Sequence, residues 1–545
     1  MSGSLAIVLH AHLPWVRHPE HERSLEEHWF FEAVAECYLP LLRNLREWTR
    51  DGVDWGLTLG VTPTLGAMWD DPLLRSRTAR YLSERRELAR REIGRTLLVP
   101  ALNAAARCHA EAYERAWADW EDCGGDLSGA FAGWARTGRL EVLAGPATHP
   151  ILPLLADEPG SLAAQLALGV REHERRFGQP VRGLWLPECA WSSRIEPHLA
   201  GAGVGHCLLE THGVLGGSPA PPAAVFLPVR SPLGITLFGR DPGSARQVWS
   251  RQGGYPGDPR YREFHSDLAD DADWEWIGGL MAAPGVRHPT GFKYRRVTGG
   301  AGEKAWYDRP EALLAVREHA GHFLSAQAER LARVAEGLAC PPVVVAPYDA
   351  ELFGHWWYEG PEFLDQVMRR AGGFGILPET LSQALDRRGR DWPVSRPADS
   401  SWGEGGHLGV WLHPTNADLQ PRLRTAGRQM VRVARAAVAP GAGPPPSGTS
   451  PRDLERWAAR AARELLLAQA SDWPFLIRMG TSAGYARGRV EAHLAAFECL
   501  AGVVLSAGAT PPGGPGETAW PGDGFPEPDP RWWLGSEVAG QKFGR

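Results

Sequence analysis

A chain of 545 residues is longer than one small module, and its 43% apolar share can supply a large buried core. Acidic residues outnumber Lys plus Arg, 64 to 58, for a net charge of −6. That balance excludes the basic footprint that nucleic-acid phosphates require. No run of about 18 apolar residues occurs, so no membrane partner is expected.

The opening apolar run, residues 1–9, has no preceding Lys or Arg and is too short for a secretion signal. The seven cysteines stand singly, without a CxxC pair, which argues against a disulfide framework or a structural zinc site. The expectation is a cytoplasmic protein without a metal or other cofactor.

In chain order, residues 5–9 form an apolar run that closes on His10-Ala11-His12. The two-residue period of a strand puts both imidazoles on one side. Metal binding and hydrogen bonding to substrate hydroxyls are both open to such a pair. Residues 55–61 form a second run. Residues 66–137, rich in Ala, Arg and Glu, read as helical and too long for an ordinary crossover, hence a helical insertion. Residues 140–143 run into Gly145-Pro146-Ala147-Thr148-His149, and a helical pattern covers 161–177. Residues 181–186 end at Pro187-Glu188, and 205–209 end at Glu210. Residues 190–300 hold much Gly and Pro and few strands, as long rim loops would. After a helical pattern over 310–338, the run 342–346 ends at Pro347-Tyr348-Asp349.

Several of these runs lack polar alternation, as parallel strands buried on both faces do. His, Glu and Asp recur at their C-terminal ends, the rim where the loops of a parallel α/β barrel converge. Residues 1–390 are therefore predicted to form a barrel-like α/β catalytic domain containing the 66–137 insertion. Helical patterns at 417–438, 452–469 and 491–507 predict an all-helical domain over 391–507, with the Pro/Gly stretch 439–451 as a loop inside it. Residues 508–545 read as an extended Pro/Gly-rich tail.

Two carboxylates carry the chemistry best. Glu188 and Asp349 each follow an apolar run among aromatic residues, and glycoside chemistry uses such a pair, one to attack and one to protonate. The 24 tryptophans, against 10 tyrosines, supply flat faces on which sugars stack, although most will be core. Trp402 stands out because the glycines around it let a ring project from a loop. A HxH pair with a later Asp would also suit a metal-dependent deacetylase or amidohydrolase, and a groove without turnover would suit a glucan-binding protein.

Five segments make the chain resemble glycoside hydrolase family 57, and within it the 1,4-α-glucan branching enzyme group. They are AHLPWV after His10, AGPATH at His149, WLPECAW at Glu188, PYDAELFGHWWYEGPEFL at Asp349 and SSWGEGGHLGVWL at Trp402. QVWS, ASDWPFL and FPEPDPR add to the match. The resemblance implies a (β/α)7 barrel (a distorted TIM-like α/β fold), a helical insertion and a C-terminal helical domain. It implies a retaining double displacement, with Glu188 as nucleophile and Asp349 as general acid/base. His10, His12 and His149 would line the subsite of the reacting glucose. Trp29, Trp276, Trp402, Trp411, Asp472 and Trp473 would border the groove for an α-1,4-glucan donor and acceptor. Branching members of the family carry a long loop with a tyrosine at its tip. Here the corresponding interval, 211–239, is short, Pro-rich and without tyrosine. That departure weighs toward hydrolysis of the α-amylase type or a 4-α-glucanotransfer alongside branching.

Overall fold

The computed structural model describes residues 3–250, 253–282, 285–298, 304–389, 391–438, 450–506 and 520–538. The chain folds into two compact units, each made of three segments. The first comprises Met1–Leu59, Met68–Val142 and Arg240–Arg390, and the second Gly60–Ala67, Leu143–Gly239 and Asp391–Arg545.

The strands are β1 (Gly3–Ala11), β2 (Leu57–Val61), β3 (Leu140–Leu143), β4 (Gly183–Leu184), β5 (His206–Leu209), β6 (Val229–Arg230), β7 (Thr236–Gly239), β8 (Val343–Asp349) and β9 (Ile376–Pro378). They form two sheets. One has the order β3-β2-β1-β8, with β9 also paired to β1, and the other has the order β4-β5-β7-β6. Each apolar run singled out in the sequence coincides with one of these strands. The short strands β6, β7 and β9 carry no comparable signal.

In the first unit, β1 pairs in parallel with β8, so that Leu5 lies opposite Val344 and His10 opposite Asp349. Every residue of β1 is buried, as is β8 up to Tyr348. Burial on both faces accounts for their uninterrupted aliphatic sequences. Between β2 and β3 the chain is mostly helical, dominated by Pro72–Arg95 and Pro100–Asp122. Asp71 starts the first of these helices by accepting the Leu74 backbone N–H at 3.0 Å, with Pro72 at the position where a missing N–H costs nothing.

In the second unit, β4, β5 and β7 are parallel and β6 closes antiparallel on β7. Leu162, Leu184, Leu186, Trp191, Ile195, Cys207, Leu209 and Leu237 belong to one buried cluster. The helices Leu419–Val438, Pro451–Ala468 and Ala483–Leu505 also lie in this unit. A capping box between Ser450 and Asp453 opens the middle one. The expected loop at 439–451 lies mostly outside the described residues, as do residue 507 and, in the expected tail, 508–519 and 539–545. Pro530–Val538 forms a 3-10 helix.

Leu5 is fully enclosed in β1. Leu5→Ala should cost about 2–5 kcal/mol, the usual range for a buried Leu reduced to Ala. Guanidinium unfolding followed by circular dichroism should show a clearly lower midpoint for the variant.

Candidate active site

In the first unit the chemistry gathers where β1 and β8 end. The parallel register sets Asp349, the last residue of β8, beside His10. His12 follows β1, and its ring stacks on that of His10 with centroids 5.7 Å apart and planes 18° apart. The alternation read from the sequence therefore holds for the two imidazoles. Burial, and secondarily the neighbouring His12, pushes the pKa of His10 well below the usual histidine value, so its ring is neutral. Burial pushes Asp349 up to about 6, against the opposing charges of His12 and Arg240.

The sequence reading missed a third carboxyl here. Glu351 Oε1 accepts the His12 backbone N–H at 3.1 Å and also the hydroxyl of Tyr38. Burial pushes Glu351 up to about 8, while the Tyr38 hydroxyl works in the other direction. Glu351 lies inside the PYDAE segment but has no signature of its own. Its partner Tyr38 is 313 residues away in the chain. Beyond it, Gly354 has φ +123°, and a Cβ there would collide with the Glu36 carbonyl oxygen. The next residue, His355, bonds through Nδ1 to Glu36 at 2.7 Å. Trp29 is half-buried on the helix Leu25–Ala33. Trp276 is also half-buried, but its indole N–H donates to Glu92 at 2.6 Å and the Arg91 guanidinium covers the ring at 4.1 Å.

The second unit holds Glu188, His149 and the C-terminal aromatics. Glu188 follows β4 in a 3-10 turn, Pro187–Cys189, with φ 58° and ψ 24°. Among the described residues, the non-glycines with positive φ are His149, Glu188, Cys189 and Ala224. Such backbone strain concentrates at functional sites, and three of these four residues are site candidates or their neighbours. Trp402 grips Glu188 twice. Its backbone N–H donates to the Glu188 carbonyl at 2.9 Å, and its indole N–H donates to Oε2 at 2.5 Å. An antiparallel bridge between Trp191 and Ser400 holds the two segments together, and the Trp185 ring meets Trp402 edge-on with centroids 5.2 Å apart.

His149 Nδ1 lies 2.9 Å from Ser471 Oγ, and the Ser471 N–H returns to the His149 carbonyl at 3.1 Å. This places Asp472, the first residue of the helix Asp472–Met479, one residue beyond that pairing. Trp473 is fully enclosed and spends its indole N–H on the Leu467 carbonyl at 2.8 Å. Trp411 packs with Ile151, Ala190 and Val410. Neither ring has an open face, whereas Trp402 is partly exposed.

Residues 6–280 match the family model for glycosyl hydrolase family 57, and residues 423–511 match the model described as "1,4-alpha-glucan branching enzyme, C-terminal". The chain belongs to glycosyl hydrolase family 57. It is 32% identical over 538 residues to the 1,4-alpha-glucan branching enzyme TK1436 of Thermococcus kodakarensis, covering 92% of this chain and 74% of that protein. It is equally 32% identical to the probable 1,4-alpha-glucan branching enzyme MT3115 of Mycobacterium tuberculosis, covering 92% of this chain and 93% of that one. Among solved structures, the alpha-amylase AmyC of Thermotoga maritima superposes with a TM-score of 0.85 at 34% identity, over 93% of this chain and 95% of that one. The family 57 branching enzyme of Pyrococcus horikoshii superposes with 0.81 at 32%, over 92% and 91%. These likenesses establish the α/β fold of the family.

The raised carboxyl of Asp349 has a direct thermodynamic consequence. Between its ordinary value and about 6 the folded chain binds more protons than the unfolded chain. Stability is therefore lost as pH rises through that window. Asp349→Asn removes the loss. The variant should melt above the parent at about pH 7.5, and the gap should narrow on acidification toward about pH 4.5. Paired thermal scans across that range measure it.

Proposed function

We propose that this chain is a retaining 1,4-α-glucan branching enzyme, with Glu188 as nucleophile and Asp349 as general acid/base. The observation that carries the reading is the strained Glu188, whose carboxylate is fixed by the Trp402 indole N–H. A carboxylate held in one rotamer at a strand end suits attack on a sugar carbon. Asp349, raised to about 6, supplies a carboxyl that can hold a proton near neutrality and then release it.

The reaction has two steps. Glu188 attacks the anomeric carbon of a donor glucose, and the bond to the glycosidic oxygen breaks. Asp349 gives its proton to that departing oxygen, leaving a glucosyl ester on Glu188. Asp349 then takes the proton of an acceptor's 6-hydroxyl, and that oxygen attacks the anomeric carbon. The ester bond breaks, Glu188 is regenerated, and an α-1,6 linkage results. His10, neutral and next to Asp349, can donate and accept hydrogen bonds with sugar hydroxyls, as can His12 and His149. Trp402 and Trp29 offer partly open faces for the glucan. The substrate class is an α-1,4-glucan as donor and acceptor, with a glycogen-like polymer as the product.

The finer fold reading is a (β/α)7 barrel within residues 1–390, followed by a helical domain over 391–507. One pairing within each unit supports it. Ala144, just after β3, pairs in parallel with Leu184 of β4, and the Asp241 N–H, just after β7, donates to the Val345 carbonyl of β8 at 2.8 Å. All seven cysteines are free, in keeping with a cytoplasmic protein.

One observation favours a second reading, hydrolysis or 4-α-glucanotransfer. The interval 211–239 carries no tyrosine, and an alpha-amylase is among the structural neighbours. Incubation with amylose, followed by isoamylase debranching and chain-length analysis, separates the two. New α-1,6 linkages establish branching, and reducing ends without them establish hydrolysis. Glu188→Ala and Asp349→Ala should each lower turnover at least about 10³-fold while leaving the circular dichroism spectrum unchanged. Near-native activity in either variant removes that residue from its role. The alkaline limb of kcat/KM should fall near pH 6, where Asp349 loses its proton.

A further inference from the structure

After Asp349 the chain enters a tightly clamped loop. The Phe353 N–H donates to the Ala350 carbonyl at 3.0 Å, Gly354 to Trp357 at 2.8 Å, Trp357 to Leu352 at 2.8 Å and Trp356 to Glu351 at 3.2 Å. Trp357 anchors the loop from inside, its ring enclosed against Phe363, Tyr261 and Phe353. Trp356 turns the other way. At 45% exposure it is the most exposed of the 24 tryptophans.

Its ring meets that of Trp249 at 60°, with centroids 6.4 Å apart. Trp249 ends the helix Pro242–Trp249, so the outer ring is backed by a second aromatic rather than left on a free loop. Holding half an indole in water forgoes part of its burial energy, and the clamped backbone keeps the ring in that position. The described residues between Leu314 and Val394 contribute no other large exposed apolar side chain. A single backed ring fits a sugar ring and is too small a patch for a protein surface. Its position is tied to the chemistry. Glu351 accepts the Trp356 N–H on its carbonyl and the His12 N–H on its carboxyl.

We propose that Trp356, backed by Trp249, is a stacking platform for a glucose ring of the bound α-1,4-glucan, outside the subsite that holds the reacting sugar. This rests on the α-glucan reading above.

The test is calorimetric titration of the full chain in a Glu188→Gln background, which stops turnover, with maltoheptaose and with maltose. Maltose spans two rings and fills only the reacting region. Trp356→Ala should weaken maltoheptaose binding about tenfold and Trp356→Phe less, with maltose affinity within about twofold. The exposed position means that both variants should melt near the parent. Unchanged maltoheptaose affinity in Trp356→Ala, or equal weakening toward both sugars, overturns the platform. If the Glu188→Gln parent binds neither sugar, the α-glucan reading itself falls and the platform with it.

Discussion

The parallel register of β1 on β8 is the constraint on which the first unit's chemistry depends. It sets His10 level with Asp349 at the strand ends. A slip of one residue would turn every side chain of β1 to the opposite face and take His10 away from the carboxyl. Burial opposes the slip, because it would pull the enclosed aliphatic side chains of β1 out of their packing on both faces. Just beyond the sheet, Glu351 joins the segment leaving β8 to the segment leaving β1 through the His12 N–H, and joins both to Tyr38. Apolar burial thus fixes the register, and the Glu351 carboxyl ties the two strand ends beyond it.

The same burial sets the charge states. It lowers His10 and raises Asp349 and Glu351, so each is driven toward its neutral form. Near pH 7 the neutral His10 and Glu351 can both donate and accept, which suits an uncharged polyhydroxy ligand, while Asp349 keeps its proton below about pH 6. At Asp349 the opposing charges of His12 and Arg240 work against this shift and do not outweigh burial. Glu351 is raised further than Asp349, by burial first and with the charge of Asp349 adding to the shift.

Much of this was legible in the sequence, for identifiable reasons. The long aliphatic runs of β1 and β8 are what doubly buried strands require, and shorter apolar runs marked β2, β3 and β5. β6 and β9, of two and three residues, are too short to show a period, and β7 mixes Thr236 and Gly239 with its two apolar residues. β4 is shorter than its apolar run, since the chain leaves extended geometry at Pro187 to enter the strained turn at Glu188. Trp402 could be found because glycines surround it. Trp411 and Trp473 look similar in sequence, yet they are enclosed by packing that only the tertiary structure specifies. Trp276 gives no hint of its partner Glu92, 184 residues away. Trp356 stood inside a recognised segment, but adjacent tryptophans at 356 and 357 cannot be sorted into inner and outer without the loop that splits them.

The left-handed residues show how the second unit offsets its own strain. Each such non-glycine conformation costs roughly 1–3 kcal/mol and persists only where the surroundings determine it from several sides. At Glu188 the surroundings are the Trp402 N–H on its carbonyl and the Trp191–Ser400 bridge three residues on. At His149 they are the reciprocal bonds with Ser471. In both places the supporting segment comes from beyond residue 391, within the same compact unit. The C-terminal segment is therefore not a passive addition to this unit. Its hydrogen bonds hold the turn in which Glu188 sits and fix the carboxylate's rotamer, so removing it would release the strain by moving the carboxylate.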